Sequence, residues 1–529
     1  MFILEEEKKL ENKENKIKKT LIWLIIISTV IRAFIACFIE LGNDEVYYWT
    51  YALYPDWSHF DHPPMAGFII QIFSFDLFFQ DETFLRLSSI IFGSINTWLI
   101  FLIAKKLKNS ITGLYAALLF TASIYCFVIA GIFILPDTPQ LLFWLLSMYY
   151  LLNSLPDKST SKKSRNYLLL AGVTIGLGML SKYTSAFLWF GAGLYILFYN
   201  RNWLKSKTIY LSVLISLILI LPILIWNIQN DFISFTFQGE RIDVTGSMLR
   251  LDYFATEFFG QIFYNNPVNF VIIIFALVAI FRKKKFLNSQ HVRLLLFLSL
   301  PLIFTFLVFS LFRSTLPHWT GPAYLSLILI AAAYLEELSV KKPRKILFTA
   351  PIQFSLYFLL IILIFGFGQI NYGWLNLDKS TDVKILGKND FSLDMYGWEQ
   401  LGEKFSNIVE RDKKQNLIDT NAVIISYRWF PAANLDYYVA RQLNKKVLAI
   451  GSLERIHKYA WINKKRGGFN KGMDAYFITT SRDFKSPYDL YENYFEKIEP
   501  ADTIPIFRSD KNVKNFFVYR MIDLQKTLK

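Results

Sequence analysis

"LGNDEVYYWTYALYPDWSHFDHPP", residues 41–64, stands directly behind an apolar run over 20–39 and crowds four acids, two histidines and six Tyr or Trp residues into 24 positions. A run of about 20 apolar residues is long enough to cross a bilayer as a helix. Asp44 and Glu45 therefore lie side by side where the chain leaves the membrane. Further runs of the same kind follow near 85–104, 112–135, 138–154, 167–181, 184–199, 208–228, 267–281, 292–312, 320–335 and 346–368. With re-entrant pieces at 60–80 and 245–262, the chain is expected to hold about 11–13 transmembrane helices, which makes it a polytopic α-helical membrane protein.

Composition agrees. The chain has 529 residues, 53% of them hydrophobic and 17% aromatic, with a mean hydropathy of +0.32, which excludes an ordinary soluble enzyme. A net charge of +15 could suggest a nucleic-acid partner, but the Lys and Arg residues fall mostly in short clusters between apolar runs, where they set membrane orientation. Cys37 and Cys126, the only cysteines, both lie inside apolar runs, so neither a disulfide framework nor a Cys-ligated metal is expected.

With the Lys-rich leader placed in the cytoplasm, "KKLK" (105–108), "DKSTSKKSR" (157–165), "RNWLKSK" (201–207), "RKKK" (282–285) and "KKPRK" (341–345) all fall on the cytoplasmic side. This satisfies the positive-inside rule. The leader lacks a small-residue cleavage site and reads as preceding a retained anchor. The other face then receives the first loop (40–83), "LPDTP" (135–139), "SKYT" (181–184), the 229–266 segment, "RSTLPHW" (313–319) and everything after 369. Beyond "GFGQINYGW" the apolar stretches shorten to strand length in "NAVIISY" (421–427), "KKVLAI" (445–450) and "DAYFITT" (474–480), with a helical pattern in "NLDYYVARQL" (434–443). Residues 1–369 are thus expected to form a transmembrane domain and 370–529 an extracytoplasmic α/β domain.

The unusual polar residues gather on the outer face. A carboxylate such as Asp44 or Glu45 near low dielectric can serve as a general base for an acceptor hydroxyl, although acids at span ends are often only solvated. His59, Asp61 and His62 are spaced so that they could hold a divalent cation, yet without further ligands hydrogen-bonded loop histidines are the preferred reading. Tyr48 and its aromatic neighbours suit a membrane interface and also the face of a sugar. Asp137, between Pro136 and Pro139, suits an N-cap. Lys182, Arg86, Arg241 and Arg313, with His318 and Trp319, set cations and an aromatic on the face that the positive-inside rule depletes, which makes them candidates for an anionic ligand. A carboxylate base, several cations and an aromatic rim together fit a lipid-linked phosphosugar.

As an ordered set, "NDEVYYWTYALYPDWSHFDHPP", "LPDTP", "GMLSKYT", "PILIWNIQNDFISFTFQ" and "LPHWTGPAYL", extended by "DMYGWEQL" and "RWFPAANLDYYVARQL", resemble bacterial members of glycosyltransferase family 39. That superfamily contains protein O-mannosyltransferases and lipid A aminoarabinose transferases and has the GT-C membrane fold. The resemblance implies inverting transfer from a polyprenyl phosphate-linked sugar to a glycolipid, protein or wall polymer outside the cytoplasm. It implies Asp44 as the base, with Glu45 completing the acidic pair, and a location in the bacterial inner membrane. Asp61 and His62 stand where the aminoarabinose branch has a lysine before a proline. No nucleotide is required, so the lack of a Gly-rich phosphate loop is consistent. A transporter or flippase of lipid-linked sugars would want a similar basic, aromatic-rimmed cavity, but it should carry ionisable residues near the midplane and repeated halves. A sensor or adhesin carried on so many spans is less economical.

Overall fold

The apolar run behind residue 20 belongs to one helix, Phe2–Phe38, in the computed structural model of the chain, which describes residues 2–244, 248–340 and 348–526. Trp23, Ile27, Val30 and Phe34 recur on it at helical spacing and are each more than half exposed. Such a stripe faces hydrocarbon, because a helix in water would bury it. Among the described residues five helices are long and apolar enough to cross a membrane: Glu11–Phe38, Leu87–Leu107, Ser289–Phe309, Pro317–Ser339 and Ala350–Tyr372. Two bent pairs, Lys207–Leu219 with Leu221–Gln229 (43°) and Leu251–Tyr264 with Pro267–Phe281 (96°), bring the number to seven if each pair is one span. Helices also occupy the remaining apolar stretches, as Ser110–Ala122, Asp137–Ser154, Lys162–Ser181 and Tyr183–Tyr199, though none of these meets the same length and apolarity. The protein is a multi-pass membrane protein.

The chain forms two compact units, Met1–Cys37 with Pro55–Ile362, and Phe38–Tyr54 with Leu363–Lys529. In the first, the stretch 112–135 is not one straight span. The helix ends at Ala122, Ser123 turns extended, and a π-helical turn, Tyr125–Ile129, follows. A helix end inside an apolar unit leaves carbonyls that need donors. Asn269 Nδ2 donates to the Leu119 carbonyl (2.8 Å) and Asn266 Nδ2 to that of Ala122 (2.9 Å). At the stretch 208–228 the bend falls at Ile220, just ahead of Pro222, which cannot continue a hydrogen-bonded ladder. Of the basic clusters, Lys105 meets Glu14 (3.3 Å) and Lys108 meets Glu336 (2.6 Å), so the leader, "KKLK" and the end of Gly321–Val340 share one end of this unit. The "KKPRK" cluster lies outside the described residues.

The second unit is built on a five-stranded sheet, β1 (Val423–Ser426), β2 (Val447–Ala449), β3 (Ala475–Thr480), β4 (Phe495–Arg508) and β5 (Lys511–Leu524), in the order β2-β1-β3-β5-β4. β1 runs parallel to β2 and β3, while β5 pairs antiparallel with both β3 and β4. The three short strands are buried along their whole length, as continuous apolar runs in a parallel sheet should be. β4 and β5 form a hairpin whose two-residue turn, Ser509 and Asp510, has φ of 49° and 61°. That is the primed-turn geometry that suits strand twist. The helix Trp398–Lys414 buries Trp398, Leu401, Phe405 and Ile408 on one face. Residues 38–54 also belong to this unit, including the helix Asn43–Leu53, whose residues Glu45–Ala52 are all buried. The first loop, expected as one piece over 40–83, is therefore shared between the two units.

Candidate functional site

Two loops of the first unit are stitched together by charge. Asp137 is the first residue of the helix Asp137–Ser154, and Lys182 follows the last residue of Lys162–Ser181 in an extended conformation. Lys182 Nζ lies 2.9 and 2.8 Å from the two carboxylate oxygens of Asp137, and both side chains are buried. The Tyr125 hydroxyl donates a third hydrogen bond to Asp137 (3.0 Å). One turn further on, Gln140 Nε2 donates to the hydroxyls of Thr184 (2.8 Å) and Ser185 (3.1 Å). "LPDTP" and "SKYT" thus form one polar seam. Pro136, not Asp137, holds the N-cap position, so the capping role expected for Asp137 gives way to an ion pair. Its cause is burial: a lone carboxylate there would be uncompensated.

Around this pair stand His62 and His318, each within electrostatic reach of both Lys182 and Asp137, and Arg241 is within reach of His62. The helix Ile233–Ile242 holds the histidine loop in place: Ser234 Oγ donates to the His59 carbonyl (2.9 Å) and Gln238 Nε2 to that of Asp61 (2.6 Å). Phe237 packs on Phe60 (4.5 Å between ring centres) and lies under the exposed Arg241 guanidinium at 4.8 Å. Arg241 also faces the Trp319 ring at 5.8 Å. Burial pushes the His62 imidazole down to about 4, with Asp61 pulling the other way and Lys182 and Arg241 adding to the depression.

The remaining cations do other work. Arg86 is fully buried, donates to the Ala36 carbonyl (3.0 Å) and lies 5.8 Å from the Phe133 ring. Arg313 donates through Nε to the Asp243 carbonyl (2.6 Å), tying two loops together. Residues missing from the sequence reading include Tyr125 and Glu257. Glu257 is buried and accepts from Gln261 Nε2 (2.8 Å) and from Thr315 Oγ1 (2.7 Å), which anchors the "RSTLPHW" loop. Its signal was an acid inside an otherwise apolar helix, and that of Tyr125 a phenol in an apolar run that must find a partner when buried. Among the described residues no group of three or more His, Cys, Asp or Glu side chains is arranged to hold a metal ion.

Asp44, Glu45 and Tyr48 lie in the second unit, at the start of Asn43–Leu53. The acidic pair divides: Asp44 is exposed, while Glu45 is buried and its carboxylate accepts the Gly42 N–H at 2.9 Å, the N3-to-N-cap half of a capping box, since glycine has no side chain for the other half. Tyr48 packs among rings, 5.8 Å from Tyr47 and 5.3 Å from Tyr51. The aromatics expected to face an interface or a sugar are in the main core residues of this unit, because a short helix with rings on every side is best satisfied by burial. Trp57, 57% exposed, remains accessible.

Comparison with known proteins adds to this geometry. Residues 61–226 match the dolichyl-phosphate-mannose-protein mannosyltransferase family. The lipid A galacturonosyltransferase RgtD of Rhizobium johnstonii is 23% identical over 176 residues, 32% of this chain and 36% of that protein, so the match spans about a third of the relative's length. Crystal structures of ArnT from Cupriavidus metallidurans, one bound to undecaprenyl phosphate and one in the apo state, each superpose with a TM-score of 0.60 at 12% identity, covering 95% of this chain and 98% of theirs. The helical unit and the small sheet unit both fall within that likeness.

Proposed function

We propose that the chain is a GT-C glycosyltransferase, a reading supported by the partial family match and by the ArnT-like fold, and that it moves a sugar from a polyprenyl phosphate carrier to an acceptor at the extracytoplasmic face of a bacterial inner membrane. The acceptor is a glycolipid, protein or wall polymer. Asp44 takes the proton of the acceptor hydroxyl as that oxygen attacks the anomeric carbon. The bond from the anomeric carbon to the phosphate oxygen breaks with inversion, and polyprenyl phosphate leaves as an anion. Cations fixed before the reaction stabilise the charge that develops on the leaving phosphate more than they stabilise the ground state. Within the first unit, Arg241, exposed and over the Phe237 ring, is the cation assigned to an anionic ligand in this reading, and Lys182 is held against Asp137.

The observation that carries the reading is the gathering of "HFDHPP", "LPDTP", "SKYT" and "LPHW", far apart in sequence, around one buried Asp137–Lys182 pair. The undecaprenyl phosphate bound to ArnT supports the carrier, and the lipid A named for RgtD supports a glycolipid acceptor.

The test is transfer in proteoliposomes, with a panel of radiolabelled polyprenyl-phosphate sugars and a lipid extract of the source cell. The wild type should pass label to a new product, and Asp44→Asn should lose about a hundredfold or more of that rate while still binding donor. Label crossing the bilayer unchanged, with Asp44→Asn indifferent, would overturn the transferase in favour of a flippase.

A further inference from the structure

The helix Asn43–Leu53 has 11 residues, too few to be stable alone in water. Its position must come from what holds it, and within the second unit both ends are held. Ahead of it, the Glu40 carboxylate accepts the N–H groups of Gly397 (2.9 Å), Trp398 (2.9 Å) and Glu399 (3.3 Å), at the start of the helix Trp398–Lys414. Helix N-termini offer such unpaired donors to an anion. The Leu41 N–H donates to the Tyr438 hydroxyl (2.6 Å), and Asn434 Nδ2 to Asn43 Oδ1 (2.8 Å).

At the other end, Lys458 Nζ donates to the carbonyls of Thr50 (2.9 Å) and Tyr54 (2.7 Å), and it lies 4.5 Å from the Tyr51 ring. Lys458 is 4% exposed, and a cation there also favours the helix dipole. Arg466, paired with Asp436 at 2.9 Å, donates through Nε to the Tyr54 hydroxyl at 2.9 Å. Midway, the Tyr47 ring sits 4.9 Å from Trp429 and 5.9 Å from His457. Every residue from Glu45 to Ala52 is buried, whereas Asp44 is exposed. A helix gripped at both ends and along its length presents one carboxylate in a fixed direction.

We propose that Lys458 is a positioning residue for sugar transfer: it holds the end of Asn43–Leu53 so that the Asp44 carboxylate keeps the direction the reaction needs. The inference rests on the reading of Asp44 as the base. A base displaced by even about 1 Å loses on the order of a hundredfold in rate, while binding of a donor that it does not hold is unaffected.

The experiment measures kcat and the donor KM in the reconstituted full-length protein for wild type, Asp44→Asn, Lys458→Met, Lys458→Arg and Tyr438→Phe, with Asp502→Asn as a control on the surface Arg411–Asp502 pair. Lys458→Met keeps the stem and removes the donors, and it should lower kcat by about tenfold or more with donor KM within about twofold. Lys458→Arg, which can still donate to two carbonyls, should recover most of the rate, and Asp502→Asn should behave as wild type. Unchanged kcat in Lys458→Met beside an inactive Asp44→Asn would overturn the positioning role alone. An active Asp44→Asn would overturn the reading beneath it. If Lys458→Met does not fold, Lys458→Gln, which keeps a neutral donor, carries the test, with Tyr438→Phe probing the opposite end of the helix: a several-fold fall in kcat of Lys458→Gln supports the inference and an unchanged kcat overturns it.

Discussion

Lys182 Nζ lies within 2.9 Å of both carboxylate oxygens of Asp137, 45 residues away in sequence, and both side chains are buried. The pair joins two loop-to-helix junctions, and its worth is asymmetric. Taking both charges away leaves an apolar contact, whereas taking one leaves the other buried and uncompensated. Asp137→Asn or Lys182→Met alone should therefore destabilise the detergent-solubilised protein by about 3–5 kcal/mol. The double variant should be clearly more stable than the sum of the two losses predicts. Thermal unfolding followed by intrinsic fluorescence measures both, and simple additivity would sink the coupling.

The two acids of the DE pair should separate by function. Glu45 caps its own helix by accepting the Gly42 N–H, so Glu45→Ala should cost about 0.5–2 kcal/mol of stability. Glu45→Gln, which can still accept that hydrogen bond, should retain most of it and most of the transfer rate. A Glu45→Gln protein as inactive as Asp44→Asn would return Glu45 to the chemistry.

Close helix packing in the first unit depends on a missing side chain. A Cβ on Gly172 would lie 2.3 Å from the Ser212 carbonyl oxygen, where Ser216 Oγ also donates to the Gly172 carbonyl at 2.5 Å. Gly172→Ala should force the helices Lys162–Ser181 and Lys207–Leu219 apart and cost about 1–3 kcal/mol. Gly193→Ala, with nothing within 4 Å of the added carbon, is the matched control and should be close to neutral. Equal unfolding temperatures for the two variants would refute the contact.

His62 sets a pH dependence whose sign is fixed by burial. Its imidazole titrates at about 4 in the folded protein and near 6.5 when unfolded, so between those values the unfolded state binds the extra proton. Stability should rise with pH from about 4 to about 6.5, by at most about 1.4 kcal/mol per unit, the ceiling for one proton on a side chain that stays partly accessible. His62→Asn should flatten that part of the unfolding-against-pH curve. A wild-type curve already flat there would contradict the burial of this ring.

Much of the second unit was legible because its signals are local. "NAVIISY", "KKVLAI" and "DAYFITT" contain β1, β2 and β3, each a short apolar run between polar residues, and the helical pattern at 434–443 is helical. The β4–β5 hairpin was missed, since its turn uses Ser509 and Asp510 where Asn-Gly would have announced it, and β4 is interrupted by Pro500 and Pro505. In the first unit the apolar stretches predicted helices, but the break after Ala122 depends on Asn266 and Asn269, more than a hundred residues away.

The sequence by itself determined that this is a multi-pass membrane protein with a small α/β unit after the last apolar stretch, because the length of an apolar run and the period of its neighbours are properties of adjacent residues. It also marked Asp44, Asp137, Lys182 and His318 as unusual, because polar groups beside hydrocarbon are costly wherever they occur. Only the tertiary structure decided what each one meets. It paired Asp137 with Lys182, turned Glu45 inward and left Asp44 exposed, and drew residues 38–54 into a unit whose Tyr438 lies 397 positions beyond Leu41. Such partners are chosen by which surfaces the packed chain brings together, and no local pattern of residues records that choice.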